Sequence, residues 1–136
     1  MPISRGIHKL VKEAMATVST LPVQEAIALA YDPTVQFVDL REAGELDRDG
    51  VIPGAYHAPR GMLEFWVDPE SPYFRKVFAS EKPLVLFCAG GLRSALAAKT
   101  LMDMGLADVA HVEGGFAAWK DAGGPIEARP PRPPKN

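Results

Sequence analysis

A run of four apolar residues, Leu84-Val85-Leu86-Phe87, constrains this chain more than any other feature. Lys82-Pro83 precedes it, and Cys88-Ala89-Gly90-Gly91 follows it. A strand with one wet face alternates apolar and polar residues. An unbroken apolar run of strand length must be covered on both faces, as in the centre of a parallel sheet. Such a sheet needs helices on each side, and the sequence supplies candidates. Pro22 to Ala30 reads as a helix with proline in its first turn. Leu92 to Met104 is helical and closes at Gly105. Phe116 to Ala122 is helical and stops at Gly123-Gly124-Pro125. Short strand patterns stand between them at Val18–Ser19, Gln36–Leu40 and Val109–Val112. Ser71-Pro72-Tyr73 reads as a further helix start, with Ser71 as N-cap and Pro72 at the first helical position. This alternation predicts an α/β fold with a mostly parallel central sheet and helices on both faces.

The chain has 136 residues, the size of one domain. Its ends are the least globular parts. Within residues 1–17, Ile7, Leu10, Val11, Ala14 and Met15 recur at helical spacing, with Lys9, Lys12 and Glu13 opposite. An amphipathic helix is expected there, docked on the domain's own surface. The domain proper is expected over 18–127. Residues 128–136 hold Pro130, Pro131, Pro133 and Pro134, so an extended, solvated tail is expected. Fifteen Lys+Arg against seventeen Asp+Glu give a net charge of −2, too little field for general nucleic-acid binding. No apolar stretch approaches the roughly 18 residues of a membrane span, and no secretory leader pattern opens the chain. A cytoplasmic protein with a reduced thiol is expected. Cys88 is the single cysteine, which excludes an internal disulfide and a Cys-rich zinc site. His8, His57 and His111 lack metal-ligand spacing, and His57 and His111 read as structural.

The chemistry concentrates where the apolar strand meets the next helix. In an open α/β sheet, ligands bind beyond the carboxyl ends of strands, and Cys88 stands at such an end. Gly90 and Gly91 permit the following backbone to curl with its N–H groups inward. The helix starting near Leu92–Ser94 adds its positive end, and Arg93 adds a full charge. All three favour a thiolate over a thiol. Cys88 therefore reads as a nucleophile facing an anionic substrate, rather than as a small buried hydrophobe.

The segment Cys88-Ala89-Gly90-Gly91-Leu92-Arg93-Ser94 resembles the loop of single-domain rhodaneses, which are sulfurtransferases: Cys, two variable residues, Gly, one variable residue, Arg, then Ser or Thr. Three further segments match in order. Val38-Asp39-Leu40-Arg41-Glu42 carries an Asp-x-Arg element. Gly50-Val51-Ile52-Pro53-Gly54-Ala55 is similar to the family's Gly-His-Ile-Pro-Gly-Ala turn, with Val51 in place of His. Glu113-Gly114-Gly115-Phe116-Ala117-Ala118-Trp119 carries the Gly-Gly…Trp element. The resemblance spans roughly Val18 to Ile126. It implies a three-layer rhodanese-like fold and transfer of a sulfane sulfur through a Cys88 persulfide. The donor would be thiosulfate or a persulfide, and the acceptor cyanide, a small thiol or a protein thiol. It implies no metal and no organic cofactor. Ala89, Gly90, Gly91, Leu92, Arg93 and Ser94 would bind the sulfur and its donor.

Several roles remain open from the residues alone. Arg93 can bind the donor's sulfonate or turn inward to pair with Asp39; the pairing is expected, because a carboxylate ending a buried strand needs a partner. Ser94 can cap the helix or donate to the sulfur. Arg60 is a candidate rim cation. Asp39 and Arg41 read as support for the loop. Phe65, Trp66 and Trp119 read as core or pocket-wall aromatics. Two other functions compete. A Cys-dependent phosphatase or arsenate reductase also uses a Cys…Arg loop, typically with five intervening residues, whereas four lie between Cys88 and Arg93. A non-enzymatic binding module would not need the intact cysteine loop.

Overall fold

The protein is described by a computed structural model covering residues 2–131. Five strands form one parallel sheet: β1 (Ser19–Leu21), β2 (Gln36–Asp39), β3 (Tyr56–His57), β4 (Leu84–Phe87) and β5 (Val109–Val112), in the order β1-β5-β4-β2-β3. The four-residue apolar run is β4, the central strand, and all four of its residues are buried. Register places Val38 beside Leu86, and Leu86 beside His111.

Side chains alternate across the sheet, and two cores result. Val38, Leu40, Leu84, Leu86, Cys88 and Val109 face one layer. That layer is built by α1 (Ile7–Thr17), α4 (Leu63–Val67) and α5 (Leu92–Asp103). Phe37, Val85, Phe87 and Val112 face the other, together with Phe116 and the fully buried Trp119. There α2 (Val23–Ala28) packs beside α6 (Gly115–Asp121). The architecture is thus the three-layer α/β arrangement that β4 demanded. Helix α1 lies along α5. Among the described residues, no helix is long and apolar enough to cross a membrane.

The expected helix at Ser71-Pro72-Tyr73 is absent. Ser71 Oγ accepts the Tyr73 N–H at 3.1 Å, and Asp68 Oδ1 accepts the Glu70 N–H at 2.8 Å. The Ser71 bond is the cap a helix start makes, but the turn is not continued: the Arg75 N–H, which a helix would aim at the Ser71 carbonyl, donates to the Trp66 carbonyl at 2.9 Å instead. A short 3₁₀ turn over Lys76–Ser80 follows instead. The structure also adds α3 (Ala43–Asp49), a helix not expected from the sequence. Its start is a reciprocal cap between Glu42 and Glu45, with Glu45 Oε2 accepting the Glu42 N–H at 2.7 Å. Glutamate in place of Ser, Thr, Asp or Asn hid that start. The far end of the described chain is fastened to the domain. Glu127 bridges Val51 in antiparallel fashion, and Arg129 pairs with Asp47 at 2.9 Å. The expectation for residues 132–136 lies outside the described residues.

Candidate active site

Cys88 follows β4, and the next six residues turn into α5. The Gly91 N–H donates to Cys88 Sγ at 3.2 Å. Gly91 also caps α5 with a positive φ of 101°. The loop is held from behind by the start of α6. The Phe116 N–H donates to the Cys88 carbonyl at 2.8 Å, and the Ala117 N–H to the Ala89 carbonyl at 3.0 Å. These bonds fix the direction of two loop peptides. They require α6 to approach the loop backbone very closely. A Cβ on Gly115 would lie 2.5 Å from the Cys88 carbonyl oxygen, at a φ of 61° that side chains rarely adopt. The Gly114-Gly115 pair is therefore part of the cysteine loop, although it lies more than twenty residues later in sequence.

Arg93 projects from the first turn of α5. It grips Glu45 of α3 with two bonds, Nη1 to Oε2 at 3.0 Å and Nη2 to Oε1 at 2.9 Å. The guanidinium holds the Glu45 carboxyl down to about 2, and the carboxylate in turn raises Arg93. The Cys88 sulfur also acts on Arg93, less strongly. The expected Arg93–Asp39 pair does not form. Asp39 shares the sheet face of Phe37 and Phe87, whereas Arg93 begins α5 in the layer on the opposite face. Arg41, two residues along the same face, takes Asp39 instead. Its Nε and Nη2 reach the two carboxylate oxygens at 3.0 and 2.8 Å. Both residues are 1% exposed. Arg41 also holds the Gly50 carbonyl at 2.9 Å, and its guanidinium lies 4.0 Å from the Phe116 ring centre. Asp39 and Arg41 thus brace the strand end, the α3–turn junction and α6 together.

The sulfur is deep. Cys88 is 1% exposed and belongs to the core layer with Leu86, Ala97 and Ala98. Ser94 Oγ lies 3.8 Å from Cys88 Sγ and 3.2 Å from the Gly91 carbonyl. It is also 2.9 Å from His111 Nδ1, a neighbour that the sequence did not single out for the site. Strand alternation puts His111 on the same face as Val109, toward α5. Leu92 is 60% exposed at the loop's surface. Gly90 has nothing near its Cα where a side chain would stand. Arg60 is engaged elsewhere, with Glu64 at 2.7 Å and Thr100 at 3.5 Å. His57 Nε2 bonds the Arg41 carbonyl at 2.7 Å. Trp119 is buried with its indole N–H on the Pro125 carbonyl, and Phe65 is exposed against Tyr73.

The family model for the rhodanese-like domain matches residues 22–122. The chain belongs to the rhodanese-like family. Among its relatives, the thiosulfate sulfurtransferase GlpE of Shewanella oneidensis is 29% identical, over 79% of this chain and 98% of that one. A protein of unknown function from Rhodopseudomonas palustris, described as a possible tyrosine phosphatase, has a solved structure 55% identical in sequence. That match covers 93% of this chain and 98% of the other, with a TM-score of 0.90. The polysulfide-sulfur transferase homodimer of Wolinella succinogenes is 31% identical, over 88% and 85% of the two chains, with a TM-score of 0.66. This rhodanese-like protein is a sulfurtransferase in its general class. Small sulfur donors and acceptors are the substrates of that class.

Proposed function

We propose that Cys88 is the nucleophile of a sulfurtransferase that uses thiosulfate or a persulfide as donor. The Cys88 thiolate attacks the donor's outer sulfur. A Cys88 Sγ–S bond forms, the donor's S–S bond breaks, and sulfite leaves with the electron pair when thiosulfate is the donor. A thiophilic acceptor then attacks the terminal sulfur of the persulfide. Cyanide leaves as thiocyanate, or a small or protein thiolate leaves as a persulfide, and the Cys88 thiolate is restored.

The observation that carries this reading is the enclosure of the sulfur. Cys88 Sγ takes the Gly91 N–H at 3.2 Å, inside a loop whose Cys88 and Ala89 carbonyls are held by α6. Backbone donors fixed before the reaction stabilise an anion without reorganisation. Residues Ala89 to Ser94 form the cradle, and Asp39 and Arg41 support it. Arg60 is a rim cation available only if it leaves Glu64. A sulfur so little exposed suits a donor that presents one atom. Four residues between Cys88 and Arg93 make a tighter loop than a tetrahedral phosphate needs, which favours sulfur transfer over the phosphatase chemistry suggested for the Rhodopseudomonas protein. We place the reaction in the cytoplasm, with no cofactor and no nucleic-acid or membrane partner.

Intact mass spectrometry after brief exposure to thiosulfate tests the reading. Wild type is expected to gain about 32 Da, lost again on adding cyanide with thiocyanate released, and Cys88→Ser to gain nothing. A gain on both proteins, or on neither with thiosulfate and a persulfide donor alike, would overturn it. Release of phosphate from an aryl phosphate would support the phosphatase instead.

A further inference from the structure

A polar chain, buried at Cys88, Ser94 and His111 and half-buried at Thr20, runs from the sulfur to the far edge of the sheet. Cys88 Sγ lies 3.8 Å from Ser94 Oγ, Ser94 Oγ lies 2.9 Å from His111 Nδ1, and His111 Nε2 lies 3.0 Å from Thr20 Oγ1. Four elements meet there: the end of β4, the first turn of α5, β5 and β1. His111 is 1% exposed, and Ser94 is fully buried. Sulfur transfer as described above uses neither the imidazole nor Thr20.

The proton count of this chain is restrictive. Ser94 has one hydroxyl proton and three neighbours able to accept it: Cys88 Sγ, the Gly91 carbonyl and a bare His111 Nδ1. If Nδ1 were bare, it would take that proton, and the sulfur would face oxygen lone pairs. If Nδ1 carries hydrogen, it donates to Ser94 Oγ, and the hydroxyl proton is free for the sulfur. An anionic sulfur is then a stronger acceptor than the Gly91 carbonyl. Nε2 of that tautomer is an acceptor, and the Thr20 hydroxyl is placed to donate to it at 3.0 Å in preference to Met15 Sδ, a weaker acceptor 3.9 Å away. Every donor in the chain then points toward Cys88.

We propose that His111 is a positioning residue for the reactive sulfur: in its Nδ1–H tautomer it turns the Ser94 hydroxyl onto Cys88. The proposal rests on Cys88 being the nucleophile and adds a residue to its support. The groups bonded to the ring are Thr20 from β1 and Ser94 from α5, and Cys88 stands one step further, beyond Ser94. Glu113, on the ring's own chain, favours its protonation, but burial outweighs that carboxylate and keeps the imidazole below its ordinary range. The neutral ring this requires is therefore the form present near neutrality.

The pH profile of Cys88 alkylation by iodoacetamide tests the proposal, since Cys88 is the chain's single cysteine. His111→Leu is expected to slow alkylation at pH 7 roughly tenfold, the worth of one hydrogen bond to a charged sulfur. His111→Asn sets an N–H close to the Nδ1 position and is expected to restore most of the rate. Ser94→Ala should match the His111→Leu loss, and the double variant should lose no more. A wild-type profile in His111→Leu, or losses that multiply in the double variant, would overturn the proposal. Should His111→Leu not fold, long-range proton–nitrogen NMR of the wild type reads the tautomer directly, and an Nε2–H ring overturns it. Alkylation needs no sulfur donor. A His111-dependent profile in a protein that forms no persulfide would therefore overturn the sulfurtransferase reading and leave this one standing.

Discussion

Arg93 and Asp39 show how far a single residue can be read. Each was recognisable as a charged group needing a partner, and each found one, but not the other. Strand alternation decided the outcome, because Arg41 falls on the face of Asp39 and Arg93 does not. The period of two was legible in the sequence; which helix layer would receive Arg93 was not, because α3 was missed and Glu45 with it. The Glu45–Arg93 pair has a definite pH signature. Glu45 falls from an ordinary value of 4.5 to about 2 in the folded protein. Its stabilisation is therefore complete above pH 4.5 and is lost as the pH falls toward 2. The pair is partly exposed, at 37% and 20% for the two side chains, so screening leaves it worth about 1 kcal/mol. Glu45→Gln should lower the denaturation free energy by that amount at pH 7, with the gap closing between pH 4.5 and 2. A gap independent of pH, measured by urea titration across this range, would assign the effect to packing.

At the scale of elements, the strongest predictions came from patterns that a single element satisfies by itself. The β4 run, the α5 pattern and the β5 strand needed no distant partner to be recognised. Short elements such as α4 and β3 depend on what packs over them, and their few residues carry too little periodicity to betray them. The Gly-Gly element before α6 lies between these cases. It was visible as a motif, but its purpose depends on a contact with the cysteine loop far away in sequence. That contact supports a sharp expectation. Gly115→Ala places a methyl 2.5 Å from the Cys88 carbonyl oxygen and 2.8 Å from that of Ala89. Both are backbone atoms, so the loop itself must move. Stability should fall by about 2 kcal/mol or more, from left-handed strain plus the clash. Sulfur transfer should fall at least tenfold, beyond what any unfolded fraction explains. Gly44→Ala is the control: it sits within α3 with nothing within 4 Å of the new methyl. Helix propensity makes it neutral or stabilising by up to about 1 kcal/mol. Equal activity in the two folded variants would show that α6 does not shape the loop.

Across the whole molecule, the candidate site is assembled from segments far apart in the chain, from residue 39 to α6 at 115–121. Residues 39–41 brace the strand end, α3 supplies Glu45, the 88–94 loop supplies the sulfur, and α6 holds that loop. The last described segment joins this assembly from outside. Glu127 pairs with Val51 through two backbone bonds of 2.8 and 2.9 Å, and Arg129 reaches the Ala43 carbonyl and Asp47. Both Arg129 partners belong to α3, the helix that carries Glu45. In the sequence Arg129 falls within the expected solvated tail, because proline content says nothing about one arginine's partner. Its place on α3 gives it a testable reach. Arg129→Ala should lower the melting temperature by roughly 3 °C, the effect of about 1 kcal/mol on a chain this size. The mutation should also loosen α3 selectively, so amide exchange should quicken over residues 43–49 and leave β4 protected at the global level. Uniform acceleration through both elements would mean that Arg129 stabilises the molecule only as a whole. No change in either would mean that the bridge between Glu127 and Val51 alone secures the end of the chain.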